Sequence, residues 1–263
     1  MESESLKYQY RIVAFLDVLG FKSMLYKFEK EALENGKEDD KKLVSPKATN
    51  FVNVFKEVTN LMDEFDCNYY LFSDNICLTV DPHHDKSLIV DILFTISNLF
   101  RKFSQMGFFL RGGIDYGLML DEKSIAMGVP LANAYIMESK KAIFPRVIMS
   151  DRFIQFIDDK SFDEHNQFNI QNFIKKSSEI NYVNLFYSVI KTDDKVTFFD
   201  QYKQVIEDQL SINAGKENIF MKYTWIAKEY NEFLENYVEN IDYFEQDLIF
   251  TEEEKNKLKS LKI

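Results

Sequence analysis

The stretch Tyr10-Arg11-Ile12-Val13-Ala14-Phe15-Leu16-Asp17-Val18-Leu19-Gly20-Phe21 sets the centre of the molecule. A nearly continuous apolar run of this length is what a central strand covered on both faces requires. Asp17 interrupts the run close to its end, and Gly20 breaks it. Burying a carboxylate is costly unless a cation compensates it, so Asp17 is a candidate for chemistry. The turn Leu19-Gly20-Phe21-Lys22 leads into a segment of helical composition that reaches about Leu33. The first amides of that helix have no partners within it and point at whatever lies beyond Asp17, which makes the turn a phosphate cradle. Gly20 lets the backbone come close to a ligand; Lys22 either reaches a terminal phosphate or is an ordinary solvated helix lysine.

After a charged loop over residues 34–46, a helix is predicted from about Pro46 to Phe65, with Phe51, Val54, Phe55, Val58, Leu61 and Met62 on one stripe. Two short strands, Cys67 to Phe72 and Ile76 to Val80, flank Ser73-Asp74-Asn75. Asp and Asn tolerate the positive φ of tight turns, so this is a hairpin with Asp74 at its tip. A helix around Ile89 to Phe103, a strand from Gly107 to about Leu120, a helix from Gly128 to Glu138 and a strand from Arg146 to Met149 follow. This order predicts an α+β fold, one sheet with helices on one face. If the hairpin lies beside the first strand, as in a ferredoxin-like sheet, Asp17 and Asp74 converge at one edge. Two carboxylates with a backbone carbonyl, for which Val18 is the candidate, form a hard all-oxygen site suited to Mg²⁺ or Mn²⁺ and to substrate phosphates. Farther on, Lys195 to Asp200 resembles a strand, Tyr223, Ile226, Ala227, Tyr230, Phe233, Leu234 and Tyr237 form a helical stripe, and Thr251 with Glu254 spells a capping box. Residues 1–200 are expected to form the catalytic-type domain and residues 201–263 a helical extension used for packing, dimerisation or docking.

The 263 residues carry 43 acidic against 32 basic side chains, a formal charge of -11, and the arginines are only Arg11, Arg101, Arg111, Arg146 and Arg152. A binder that neutralises nucleic-acid phosphates is disfavoured by that balance. The start, Met-Glu-Ser-Glu-Ser, has no basic segment followed by an apolar one, and Leu88 to Phe103 is too polar to span a bilayer, so a cytoplasmic protein without membrane contact is expected. Cys67 and Cys77 are no disulfide framework. His83, His84 and His165 complete no metal-ligand spacing. Arg111 stands in an apolar strand, where an unpaired guanidinium is out of place; it serves either the site or an internal ion pair.

Phe15-Leu16-Asp17-Val18-Leu19-Gly20-Phe21 resembles the first metal-binding motif of class III nucleotide cyclases, and Phe72-Ser73-Asp74-Asn75 resembles the second. Leu110-Arg111-Gly112-Gly113-Ile114 is similar to the strand that follows in that family, and the segment from Gly128 through Met137-Glu138-Ser139 to Arg146-Val147-Ile148-Met149-Ser150 to its later part. The resemblance covers residues 10–150 in the family's order. It implies two divalent ions, Mn²⁺ or Mg²⁺, on Asp17 and Asp74 with the Val18 carbonyl. One would activate the ribose 3′-hydroxyl for attack on the α-phosphorus; the other would hold the departing pyrophosphate. It also implies a homodimer with active sites at the interface, and contacts to substrate from Phe15, Gly20, Phe21 and Lys22. The chain departs from the family at two base-selecting positions, occupied here by Tyr70 and Ile125. Residues 70 and 74 project from one strand face about 13 Å apart, so the Tyr70 phenol would narrow a purine pocket. In this the chain resembles the bacterial pyrimidine cyclases of Pycsar anti-phage systems, which make cyclic UMP or cyclic CMP from UTP or CTP and signal to a separate effector protein. Where many family members carry a transition-state asparagine and arginine, Ala132 and Ile136 stand here. Losing such a donor costs hundreds-fold in rate; Arg111 is the candidate replacement, with Lys140 and Lys141 behind it, while Asn133, a substrate-contact candidate, is one position away and turned by about 100° on the helix. A non-catalytic, nucleotide-binding regulatory dimer and a purine cyclase are the alternatives.

Overall fold

The computed structural model describes residues 6–36, 42–60, 67–83, 85, 87–122, 125–158, 170–239 and 251–263. Along the chain run β1 (Tyr8–Leu19), α1 (Phe21–Asn35), α2 (Pro46–Asn60), β2 (Cys67–Phe72), β3 (Asn75–Val80), α3 (Ser87–Gln105), β4 (Phe109–Glu122) and β5 (Ile125–Gly128). Then come α4 (Val129–Ile136), continued by a π-helical turn (Met137–Lys141), β6 (Val147–Met149), α5 (Asp151–Asp158), β7 (Ile174–Ser177), β8 (Ile180–Val183), α6 (Lys195–Ile212), α7 (Glu217–Glu239) and α8 (Glu252–Lys259). The expected helix residues Leu61, Met62 and Phe65, and His84 and His165, lie outside the described residues.

The strands form one sheet in the order β2-β3-β1-β4-β6-β8-β7, with β5 paired to β4. Its first four strands are antiparallel neighbours, the ferredoxin-like arrangement expected of an α+β chain of this order. β6 then joins β4 in parallel. Side chains alternate across β1. Ile12, Ala14, Leu16 and Val18 enter the main core beneath the long helices, whereas Val13 and Phe15 belong to small clusters on the opposite face. Asp17 shares the parity of Val13 and Phe15, so the strand's period places its carboxylate on that second face.

The second face is crossed by α4, and a glycine makes this possible. A Cβ on Gly113 would lie 2.6 Å from the Ala134 carbonyl oxygen and 2.7 Å from the Met137 Cβ, so only glycine lets the helix settle on β4. The main core is rich in aromatics: Phe51 stacks on Phe103 at 4.9 Å, and Tyr202 stacks on Tyr230 at 5.5 Å. Truncating the fully buried Phe103 to alanine is worth about 3–5 kcal/mol by the usual cost of deleting a core aromatic.

Several elements differ from expectation. Lys195 to Asp200 is not a strand but the start of α6. Its β-branched and aromatic residues favour a strand locally, yet Phe198, Phe199, Tyr202 and Ile206 fall at helical spacing and all enter the core, so packing overrides propensity. α6 runs through residue 200, and its side chains share the main core with those of α3 and β4. The β7–β8 hairpin and β5 had no clear signal in sequence. The β2–β3 loop is Ser73-Asp74, and the positive φ falls on Ser73 (58°), with Asn75 already in β3. The capping box is formed as expected: the Glu254 amide donates to Thr251 Oγ1 and the Thr251 amide to Glu254 Oε2. Among the described residues, no helix is long and apolar enough to cross a membrane.

Candidate functional site

The antiparallel register places Asp17 opposite Asn75 of β3 on one side and Arg111 of β4 on the other. Directly opposed residues face the same side of a sheet, so the arginine's proximity follows from strand pairing alone. Arg111 Nε donates to Asp17 Oδ2 at 2.8 Å, and Arg111 Nη2 lies 2.7 Å from Glu138 Oε1. That second contact is a close ion pair without hydrogen-bond alignment, since Glu138 Oε1 is buried and lacks a partner of proper geometry. The hairpin tip is tied down by its backbone: the Val18 amide donates to the Asp74 carbonyl at 3.1 Å. The Asp74 carboxylate thereby sits close enough to act on both other acids. Burial raises the Asp17 carboxyl above its ordinary range, Arg111 pulls it down, and Asp74 pushes it up again. Glu138 is likewise raised, chiefly by burial, with Arg111 opposing and Asp17 and Asp74 adding to the rise.

Two carboxylates therefore share one guanidinium, and Asp74, which accepts from Asn75 Nδ2 at 3.3 Å, adds a third negative charge beside them. This shortage of positive charge, together with an all-oxygen donor set, fits a divalent cation of the Mg²⁺ or Mn²⁺ kind. Asp17, Asp74 and the Val18 carbonyl are the groups that would hold it. Among the described residues, no group of three His, Cys, Asp or Glu side chains is arranged to hold a metal ion alone. Any such ion would have to complete its shell with ligand phosphates or water, which is the habit of Mg²⁺.

Gly20 is left-handed (φ 79°) and α1 begins directly after it, so the amides of Phe21 and Lys22 are in the first turn, as expected. The Phe21 ring itself is buried, 5.3 Å from Phe51. Lys22 is exposed. Phe15 is half-buried and meets Tyr135 edge-on at 5.6 Å. Two other expected contact residues are drawn to separate acids. Tyr70 Oη donates to Asp121 Oδ1 at 2.6 Å, and Asn133 Nδ2 donates to Asp115 Oδ2 at 2.9 Å. The sequence thus places Asp17, Val18, Asp74 and Arg111 together; Tyr70 and Asn133 have side-chain partners elsewhere on the same face.

Glu138 was not foreseen. The π-helical turn from Met137 to Lys141 turns it inward beside buried Met137. Such turns recur at functional sites, but nothing in Met-Glu-Ser-Lys-Lys announces one. Asp115 and Asp121 were also missed, although both fall on the Arg111 parity of β4, a period-two signal that was there to be read.

No family model matches the chain, and no curated protein does. Solved structures with some likeness include a bacterial light-regulated adenylyl cyclase, at 12% identity and TM-score 0.45 over 77% of this chain. The chain spans 58% of that protein's length. The adenylyl cyclase CyaB from P. aeruginosa is 15% identical with TM-score 0.41, over 68% of this chain and 95% of its own. The guanylate cyclase domain of RhGC from Catenaria anguillulae, in complex with GTP, has the same identity and TM-score, over 68% of this chain and 98% of its own.

Proposed function

We propose that the chain is a nucleotide cyclase of the class III type, converting UTP or CTP to its 3′,5′-cyclic monophosphate and pyrophosphate. The carrying observation is the acid-rich, cation-poor cluster of Asp17, Asp74 and Glu138 around Arg111, set beside the first amides of α1. In this reaction the 3′-oxygen forms a bond to the α-phosphorus, the bond to the β-phosphate bridge breaks, and the hydroxyl proton is lost. Bound Mg²⁺ or Mn²⁺, two ions per site, would supply acidification of the 3′-hydroxyl and neutralisation of the phosphates. Asp17, Asp74 and the Val18 carbonyl hold that charge in place. The amides of Phe21 and Lys22 receive phosphate oxygens, and Arg111, anchored by Glu138, keeps a guanidinium at the centre of the site.

Preference for a pyrimidine is supported by Tyr70, whose hydroxyl is committed to Asp121 and whose ring occupies space beside Cys77 and Val13 on the site's face. A homodimer is supported by apolar side chains exposed around that face: Phe72 is 80% exposed, Val129 61% and Tyr135 53%. The product would serve as a second messenger for a separate effector in anti-phage defence, by the resemblance described above. A second possibility, a nucleotide-binding regulatory dimer without turnover, is favoured by Ala132 and Ile136, which offer no donor on the outer face of α4.

The test is incubation of the protein with each of the four ribonucleoside triphosphates and Mn²⁺, resolving the products by chromatography. Cyclic UMP or cyclic CMP is the expected product. Cyclic AMP or cyclic GMP alone would transfer the assignment to a purine cyclase, and nucleotide binding without any cyclic product would establish the regulatory alternative.

A further inference from the structure

α7 belongs to the last third of the chain, yet its first half lies at the same end of the sheet as Asp17. Tyr223 meets Phe109 edge-on at 5.5 Å, and Phe109 is the register partner of Leu19, two residues before Arg111. Tyr223 also lines, together with Leu19 and Gly20, a cavity of about 580 Å³. On its other flank, Trp225 stacks on Phe144 at 5.3 Å and 12°, and the Arg146 guanidinium lies 6.0 Å from the Trp225 ring centre. The carbonyl of Arg146 accepts from the amide of Gly112, the residue after Arg111, at 3.0 Å. The helix is thus fastened on both sides of Arg111.

Lys222 stands one residue before Tyr223 and three before Trp225, so it shares a helix face with the tryptophan. It is half-buried. Other lysines with largely covered side chains are paired: Lys175 with Glu229, Lys195 with Glu254 and Lys102 with Glu57. Lys222 makes no ion pair or hydrogen bond among the described residues. Its charged surroundings are those of the site: burial lowers its pKa, Arg111 lowers it further, and Asp17 raises it. A half-buried lysine with no acid to pair with, placed on the helix between the directions of Tyr223 and Trp225, is available to an anionic ligand. Arg111 is already paired with Asp17 and Glu138, so a side-chain cation that meets a polyphosphate beside the bound ions must come from elsewhere in the chain.

We propose that Lys222 is the second cation of this site and that it binds the phosphate chain of a nucleoside triphosphate. This rests on the nucleotide-binding part of the function above. It also gives the C-terminal helices a direct share in the site, beyond packing.

The experiment titrates the full chain with each of the four nucleoside triphosphates and the matching monophosphates, with Ca²⁺ present to limit turnover, and compares wild type, Lys222→Met and Lys222→Arg by calorimetry. The expected result is a loss of about tenfold in triphosphate affinity for Lys222→Met, the worth of one charge-assisted contact. Monophosphate affinity should be unchanged, and Lys222→Arg should restore most of the loss. Triphosphate affinity within twofold of wild type in Lys222→Met overturns the proposal. If that variant melts at a lower temperature than wild type, Lys222→Gln is read in its place against the same thresholds. A wild type that binds triphosphate through Lys222 but forms no cyclic product removes the cyclase assignment and leaves Lys222 standing. Cyclic product with unchanged KM in the variant does the reverse, and a wild type that binds none of the four overturns both.

Discussion

Two kinds of buried acid occupy the same face of the sheet. Asp121 accepts from Tyr70, Asn68 and Thr79 and pairs with Arg11 at 3.1 Å. Asp115 accepts from Asn133, Ser150, Arg152 and the Tyr116 amide. In each of these places one carboxylate has four donor groups. At the end of β1 the proportion is inverted, for Asp17, Asp74 and Glu138 gather around Arg111. In the first arrangement each carboxylate has an adjacent arginine and three further donors, so its charge is offset without anything added. The second is left with excess negative charge, and a folded chain keeps such an excess only where a ligand or ion offsets it.

The contrast can be broken by substitution. Asp74→Asn, or Asp17→Asn, should lower cyclic-nucleotide formation by roughly a hundredfold or more, on the scale of losing one transition-state electrostatic group. Melting temperature should hold or rise, because a crowded acid has been removed. Asp121→Ala should do the opposite. It takes the carboxylate from Arg11 and from three hydrogen-bond donors, and should cost about 3–5 kcal/mol in chemical denaturation, the usual result of breaking a buried pair. If both substitutions destabilise equally, the two kinds of acid are not different.

Smaller effects sharpen the same distinction. Asp17 and Glu138 both titrate above their ordinary range in the folded chain. Their protonated forms therefore favour folding, a contribution complete below the ordinary carboxylate pKa and lost as pH rises through the raised values. Metal-free protein should lose more stability between pH 5 and pH 7.5 than Glu138→Gln does, and added Mn²⁺ should narrow the gap. Near the complete network, burial and Asp121 push the Cys77 thiol up to about 12. Alkylation of the folded protein at pH 8 should accordingly leave Cys77 unmodified, as read by peptide mass spectrometry.

What was legible in the sequence follows from what is local. An apolar run broken by Asp17 and Gly20 can hardly be anything but a central strand with a polar exit, and the hairpin after it has few alternatives. The pairing of Arg111 with Asp17 was open because it depends on register, which is set by contacts far apart in the chain. Glu138 depends on a π-helical turn that begins at Met137, where the chain packs against Gly113, a tertiary contact. The start of α6 was misread for the same reason, since its residues favour a strand until Phe198, Phe199 and Tyr202 find the core. Tyr70 was placed on the right face of its strand, but its bond to Asp121, 51 positions away, was beyond any local pattern.

The central claim is that excess acid at the end of β1 marks a cation-dependent site, while the complete networks do not. The most direct test is Mn²⁺ uptake followed by electron paramagnetic resonance, with and without UTP, in wild type, Asp74→Asn and Asp121→Asn. Wild type and Asp121→Asn should remove Mn²⁺ from solution, most strongly with the nucleotide present, and Asp74→Asn should not. Equal uptake by Asp74→Asn and wild type would contradict the account.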